Sequence, residues 1–144
     1  MTERSKYVRW ANVNDAAHLV ALNTAFNGAG VTAEDVAKSL ENTSGLVAVA
    51  ILDEVPVGFA CAQYFKSFCY HEAQGEITEM YIEESARRKG LAAMLISFLE
   101  ERLREKGVRS IKILTGQHNL IAQKSYERSK YILEDEVVFQ KDLF

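Results

Sequence analysis

The stretch from about residue 76 to residue 115 constrains this chain most. Leu91, Met94, Leu95, Phe98, Leu99 and Leu103 recur on one helical stripe that runs through Lys106, and Gly107 supplies a stop. Strand-like patterns flank that helix at 76–82 and 110–115. A strand–loop–helix–strand unit almost always crosses over right-handedly between parallel strands. The fold must therefore contain a parallel strand pair covered by a long helix. A ligand is expected at the loop where the first strand turns into that helix.

The remaining elements fit around this unit. A first strand is expected at 7–10. Ala16, Leu19, Val20, Leu22 and Ala25 form a helical stripe over 15–26, with Asn14 as its cap and Asn27-Gly28-Ala29-Gly30 as its stop. Thr32-Ala33-Glu34-Asp35 opens a second, short helix with acids near its positive end. Apolar, β-branched runs at 46–52 and 55–68 read as strands joined by a tight turn at Asp53-Glu54. A short helix at 120–128 and a closing pair of strands at 131–133 and 137–142 complete the order β-α-α-β-β-β-α-β-α-β-β. The expected fold is mixed α/β: a mostly antiparallel sheet of about seven strands with helices on both faces.

Composition narrows the function. The 144 residues carry 17 basic against 20 acidic side chains, a net charge of −3, which disfavours a nucleic-acid binder that relies on bulk electrostatics. Cys61 and Cys69 are too few for a disulfide framework and lack metal-ligand spacing, so they read as free thiols in a reducing compartment and no metal is expected. Met1-Thr2-Glu3-Arg4-Ser5-Lys6 leads into no apolar signal segment, and no stretch approaches the roughly 18 apolar residues of a membrane span. A cytoplasmic single domain covering 1–144, without membrane association, is the expectation.

The loop at the helix start reads Glu83-Glu84-Ser85-Ala86-Arg87-Arg88-Lys89-Gly90-Leu91-Ala92. Free amides at a helix start suit a phosphate or pyrophosphate, and the three cations add to the attraction. Gly90 would let the backbone approach an anion, and Ala92 is too small to obstruct it. The loop is neither a P-loop nor a GxGxxG turn. Three cations facing water would be the plainer reading of the loop alone.

Two motifs together resemble the GNAT superfamily of acetyl-CoA-dependent N-acetyltransferases. Arg87, Gly90 and Ala92 fill the places of the family's Arg/Gln-x-x-Gly-x-Gly/Ala pyrophosphate loop, and Ile82, five residues upstream, fits the end of its fourth strand. Asn119-x-x-Ala122-x-x-x-Tyr126 matches the helix that follows the family's fifth strand. One departure stands out: Lys130 occupies a position where the family commonly has glycine.

The resemblance implies that strands four and five splay apart and that acetyl-CoA lies along the exposed backbone of Met80, Tyr81 and Ile82. The Met80 amide would polarise the thioester carbonyl, an interaction worth roughly 3–4 kcal/mol in such sites. The pyrophosphate would rest on Arg87, Arg88, Lys89, Gly90, Leu91 and Ala92. Asn119 and Ala122 would meet the pantetheine arm, and Tyr126 would protonate the departing thiolate. Asn119 also reads simply as the cap of helix 120–128.

A general base is needed for a protonated amine, and Glu79 and Glu76 are the candidates, directly or through water. Glu79 is favoured as nearest the expected thioester, with Glu76 the alternative. Strand alternation puts the two on opposite faces unless a bulge intervenes. His118 is a further candidate. Glu72, Glu76, Glu79, Glu83 and Glu84, with Glu134, Asp135 and Glu136, would favour a cationic small-molecule or protein amine if they border the acceptor cleft. Exposed acids on loops are the plainer reading. Tyr64, Phe65, Phe68 and Tyr70 belong either to that cleft or to the core. The competing class is a non-catalytic CoA-binding sensor, which needs the loop but neither the carboxylates nor Tyr126. A homodimer is expected from the resemblance alone.

Overall fold

The computed structural model describes residues 5–42 and 45–144, so the first four residues of the N-terminal segment read above lie outside the described residues. Its sheet is organised by a hairpin. β1 (Lys6–Trp10) lies beside β2 (Leu46–Leu52), which returns through Asp53-Glu54 into β3 (Val55–Phe65). Both turn residues have positive φ, 49° and 69°, the type I′ arrangement whose twist suits a two-residue hairpin. β3 pairs with β4 (Ala73–Ile82), and β4 pairs in parallel with β5 (Val108–Ile113). The order is β1-β2-β3-β4-β5, antiparallel up to the last pair.

The long helix α3 (Leu91–Glu105) covers one face of the sheet. Leu91, Leu95, Ile96, Leu99 and Leu103 are fully buried there, while Met94 and Phe98 sit at the margin. Each buried leucine contributes on the order of 2 kcal/mol by leaving water. Phe98 packs tilted against Trp10 with centroids 4.5 Å apart, and the Arg102 guanidinium lies over the Trp10 ring at 4.7 Å. Gly107, at φ 76°, ends the helix region as its sequence position implies.

On the opposite face lie α1 (Ala16–Asn27) and α2 (Ala33–Asn42). Leu19 and Leu22 meet Val49, Ile51 and Phe59 of the sheet. The cap of this region is Asn12, not Asn14. Asn12 Oδ1 accepts from the Asn14 amide at 2.9 Å, and the Asn12 amide donates to Asp15 Oδ2 at 2.8 Å, so a 3-10 turn precedes α1. Arg9 grips the buried Asp15 carboxylate through two bonds of 2.8 Å and holds it below the usual carboxylate range. Thr32 caps α2 with Asp35 as reciprocal partner.

Residues 115–144 form a separate unit containing α4 (Leu120–Arg128). The chain leaves α4 through Lys130 at φ 73°. There the Tyr131 amide bonds the Tyr126 carbonyl at 3.0 Å and the Lys130 amide bonds the Glu127 carbonyl at 2.9 Å. This is a Schellman ending with lysine in the glycine position, at a cost of about 1 kcal/mol.

The expected strands at 131–133 and 137–142 are absent, so the described sheet has five strands rather than about seven. Ile132, Leu133, Val137, Val138 and Phe139 are all exposed. Strand composition records a fit to a pleated, half-buried surface, and these residues have none to fit.

Candidate active site

β4 is asymmetric along its length. Residues 73–77 pair with β5, ending at Ile77 opposite Ile113, whereas 78–82 have β3 on one edge and no strand on the other. The open edge carries usable backbone. The Glu83 amide bonds the Val57 carbonyl at 2.9 Å, so by antiparallel alternation Ile82 and Met80 turn their amides and carbonyls away from β3. The Ile82 carbonyl accepts from Arg87 Nε at 2.8 Å, which leaves Met80 as the open pair. The Ile82 side chain is buried, those of Met80 and Tyr81 half-buried.

A one-residue register shift divides the two halves. Cys61 opposes Glu79 and Ala62 opposes Ile77, so Thr78 is the extra residue of a β-bulge. Directly paired residues share a face. Cys61 and Gln63 alternate along β3 and face Glu79 and Glu76, so the bulge brings both glutamates to the face carrying α1 and α2. Glu79 is exposed, and Glu76 is half-buried with Gln63 Nε2 at 3.4 Å. Burial, and secondarily Glu79, pushes the Cys61 thiol up to about 12, so it stays protonated at neutral pH. Beside them Phe26, Phe59 and Tyr81 form an aromatic cluster, with Phe26 stacked on Tyr81 at 5.4 Å.

Beyond Ile82 the chain makes a 3-10 turn and reaches the basic loop. The Arg87 guanidinium lies 5.6 Å from the Tyr81 ring centroid, and with Nε engaged it has its terminal nitrogens to offer. Arg88 is exposed at φ 63° and Gly90 adopts φ 80°. A Cβ on Gly90 would meet nothing nearer than Lys6 Nζ at 3.8 Å, so handedness rather than crowding requires glycine here. Lys6 Nζ donates to the Lys89 carbonyl at 2.8 Å, tying β1 to the loop. The first amide with a helical acceptor is Met94, bonded to the Gly90 carbonyl at 3.1 Å. The amides of Leu91, Ala92 and Ala93 are therefore helix-start donors, although the Leu91 side chain is core.

In the second unit Asn119 Oδ1 accepts from the Ala122 amide at 3.2 Å, so the cap reading holds and the Nδ2 group is the one left to recognise a ligand. Tyr126 is half-buried, and burial holds its hydroxyl above the usual tyrosine value and therefore protonated at neutral pH. His118 is exposed in the preceding turn.

Several acids have other partners or places. Glu72 pairs with Arg109 at 3.6 Å, Glu83 accepts from Ser85 at 3.0 Å, and Glu134, Asp135 and Glu136 lie in a segment without strands to bridge. Tyr64, Phe65, Phe68 and Tyr70 are exposed, not core. Sequence periodicity did not reveal Thr78, Lys6 or the Phe26–Phe59–Tyr81 cluster, because a bulge and two long-range contacts leave no periodic trace. Among the described residues, no group of three or more His, Cys, Asp or Glu side chains could hold a metal ion.

The site is thus a half-open parallel strand followed by a basic loop and a helix start whose amides can hold an anion. The model of the acetyltransferase (GNAT) family matches residues 12–131, and the chain belongs to that family. Among solved structures it is similar to AAC(6')-Iy, an aminoglycoside N-acetyltransferase in complex with CoA, at 20% identity and TM-score 0.84, covering 99% of this chain and 98% of that one. It is also similar to the aminoglycoside acetyltransferase meta-AAC0020 from an uncultured soil metagenomic sample, solved with trehalose, at 19% identity, TM-score 0.83 and 96% coverage of both chains. A ribosomal-protein-alanine N-acetyltransferase from Brucella melitensis biovar Abortus 2308 shares 17% identity at TM-score 0.83, over 97% of this chain and 100% of that one. These likenesses show the fold. No curated protein matches the chain.

Proposed function

We propose that this protein is an N-acetyltransferase that moves an acetyl group from acetyl-CoA to a cationic primary amine by direct attack. The observation that carries the reading is the pairing of β4 with β5, which stops at Ile77 while β4 runs on to Ile82 and into the loop 87–92. That open edge and the free helix-start amides fit an extended pantetheine arm ending in a pyrophosphate. The Met80 amide donates to the thioester carbonyl oxygen, and backbone of Tyr81 and Ile82 flanks the arm. Arg87, Arg88 and Lys89 supply charge, while Gly90, Leu91 and Ala92 supply the helix-start backbone. Asn119 Nδ2 and the backbone near Ala122 serve the pantetheine amides, and the Tyr126 hydroxyl gives its proton to the departing thiolate. The family match spans both units, which supports one catalytic domain over 1–144.

Glu79 takes the proton of the incoming ammonium, with Glu76 or His118, or water, as the alternative base. Two glutamates on one face favour a cation there, and the neighbour meta-AAC0020 was solved with sisomicin, an aminoglycoside. Cytoplasmic location and a homodimer belong to the same proposal. The test is CoA release with spermidine, sisomicin, lysine and a peptide N-terminal amine against a neutral and an acidic amine. A cationic amine should lead at low salt, and its advantage should shrink at about 0.15 M salt, where screening acts over roughly 8 Å. CoA binding without turnover of any amine would favour the sensor reading instead.

A further inference from the structure

We propose that Thr78, the extra residue of the β4 bulge, is the positioning residue for the base Glu79 and satisfies it in both protonation states. The inference rests on the reading of Glu79 as base. Thr78 Oγ1 hydrogen-bonds Glu79 Oε2, and the Cys61 carbonyl lies 3.4 Å from the same hydroxyl oxygen. A hydroxyl has one proton to donate and lone pairs to accept with. It can serve the carboxylate or the carbonyl, one at a time.

Those two acceptors match the two states of the reaction. While Glu79 is ionised, the Thr78 O–H donates to Oε2 and fixes the carboxylate. When Glu79 removes the proton, the ammonium N–H bond breaks, its electron pair stays on nitrogen for the attack, and a new O–H bond forms on Glu79. That O–H now donates to Thr78 Oγ1, and the threonine proton turns to the Cys61 carbonyl. No heavy atom needs to move. The Cys61 thiol, held protonated by burial and by the neighbouring Glu79, does not compete as a base. In a regular strand Thr78 would have its own partner on β3. The bulge frees it for this place.

The experiment compares Thr78→Val, which keeps the shape without the hydroxyl, with Thr78→Ser, which keeps the hydroxyl. The full chain is used with acetyl-CoA and the fastest amine of the panel above. We expect kcat to fall roughly tenfold in Thr78→Val, the scale of one hydrogen bond to a charged group, and to recover to within about twofold in Thr78→Ser. The KM for the amine and the affinity for acetyl-CoA should hold. Thr78→Ala should behave like Thr78→Val and covers the case in which valine does not fold at the bulge. In a Glu79→Gln background, adding Thr78→Val should cost nothing further. Wild-type kcat in Thr78→Val and Thr78→Ala, no recovery with serine, or the same tenfold loss in the Glu79→Gln background would overturn the proposal. Unchanged kcat in Glu79→Gln alone would remove the base reading, and this inference with it. A slow Glu79→Gln beside a fast Thr78→Val would remove this inference only.

Discussion

The two halves of β4 share one strand and differ in how their edges are used. Residues 74–77 are paired on both edges, with Gly75 and Ile77 buried in the core, and a Cβ on Gly75 would meet Val108 at 3.0 Å. Residues 78–82 are paired on one edge, begin with a bulge, and turn free backbone outward. Pairing on both sides satisfies the backbone and leaves nothing for a ligand. Releasing one edge leaves groups that must find water or a substrate. One strand can thus have its backbone closed in its first half and open to a ligand in its second.

Substitutions should separate the halves. Ile77→Ala, in the scaffold half, should lower stability by about 2–5 kcal/mol, read from denaturant unfolding, while folded enzyme keeps its kcat. Glu79→Gln, two residues on, should do the reverse: kcat falls roughly 10²-fold and the unfolding midpoint holds. Equal losses in both quantities for either variant would break the division. Tyr126→Phe should likewise cost kcat up to roughly 10²-fold at unchanged CoA affinity, the scale of one general acid, when the chemical step limits turnover. Gly75→Ala should cost about 1–3 kcal/mol, because the close Val108 and Ile111 side chains must give way.

The smallest effect lies away from β4. The Arg9 bond lowers the Asp15 carboxyl below its ordinary 3.8, so its stabilisation is complete above that value and is lost as pH falls through the lower folded value. Asp15→Asn should flatten the acid side of the stability curve between about pH 4 and the folded value, and leave CoA affinity alone. A changed affinity would link this distant pair to the site.

Much of the scaffold was legible from residue patterns. The stripe from Leu91 to Leu103 located α3, and 120–128 coincides with α4, because a helix writes its packing into local spacing. The loop 87–92 was legible because charge, glycine and helix start coincide in sequence. A bulge was only a condition in the sequence, and its place at Thr78 was not legible, since one inserted residue changes no composition and is felt only against β3. The closing strands were overread: 131–133 and 137–142 have strand composition, yet neither segment forms a strand. Lys130 shows the opposite case, where a forbidding residue adopts the φ its position demands.

The central claim is that acetyl-CoA occupies the open half of β4 and the helix start beside it. Amide hydrogen exchange, followed by NMR with and without acetyl-CoA and in the absence of any amine, tests it most directly. The account predicts at least tenfold slower exchange at Met80, Leu91 and Ala92, with Gly75 and Ile77 unchanged. Unchanged exchange at Met80 and at the helix start, under acetyl-CoA concentrations that saturate binding, would contradict it.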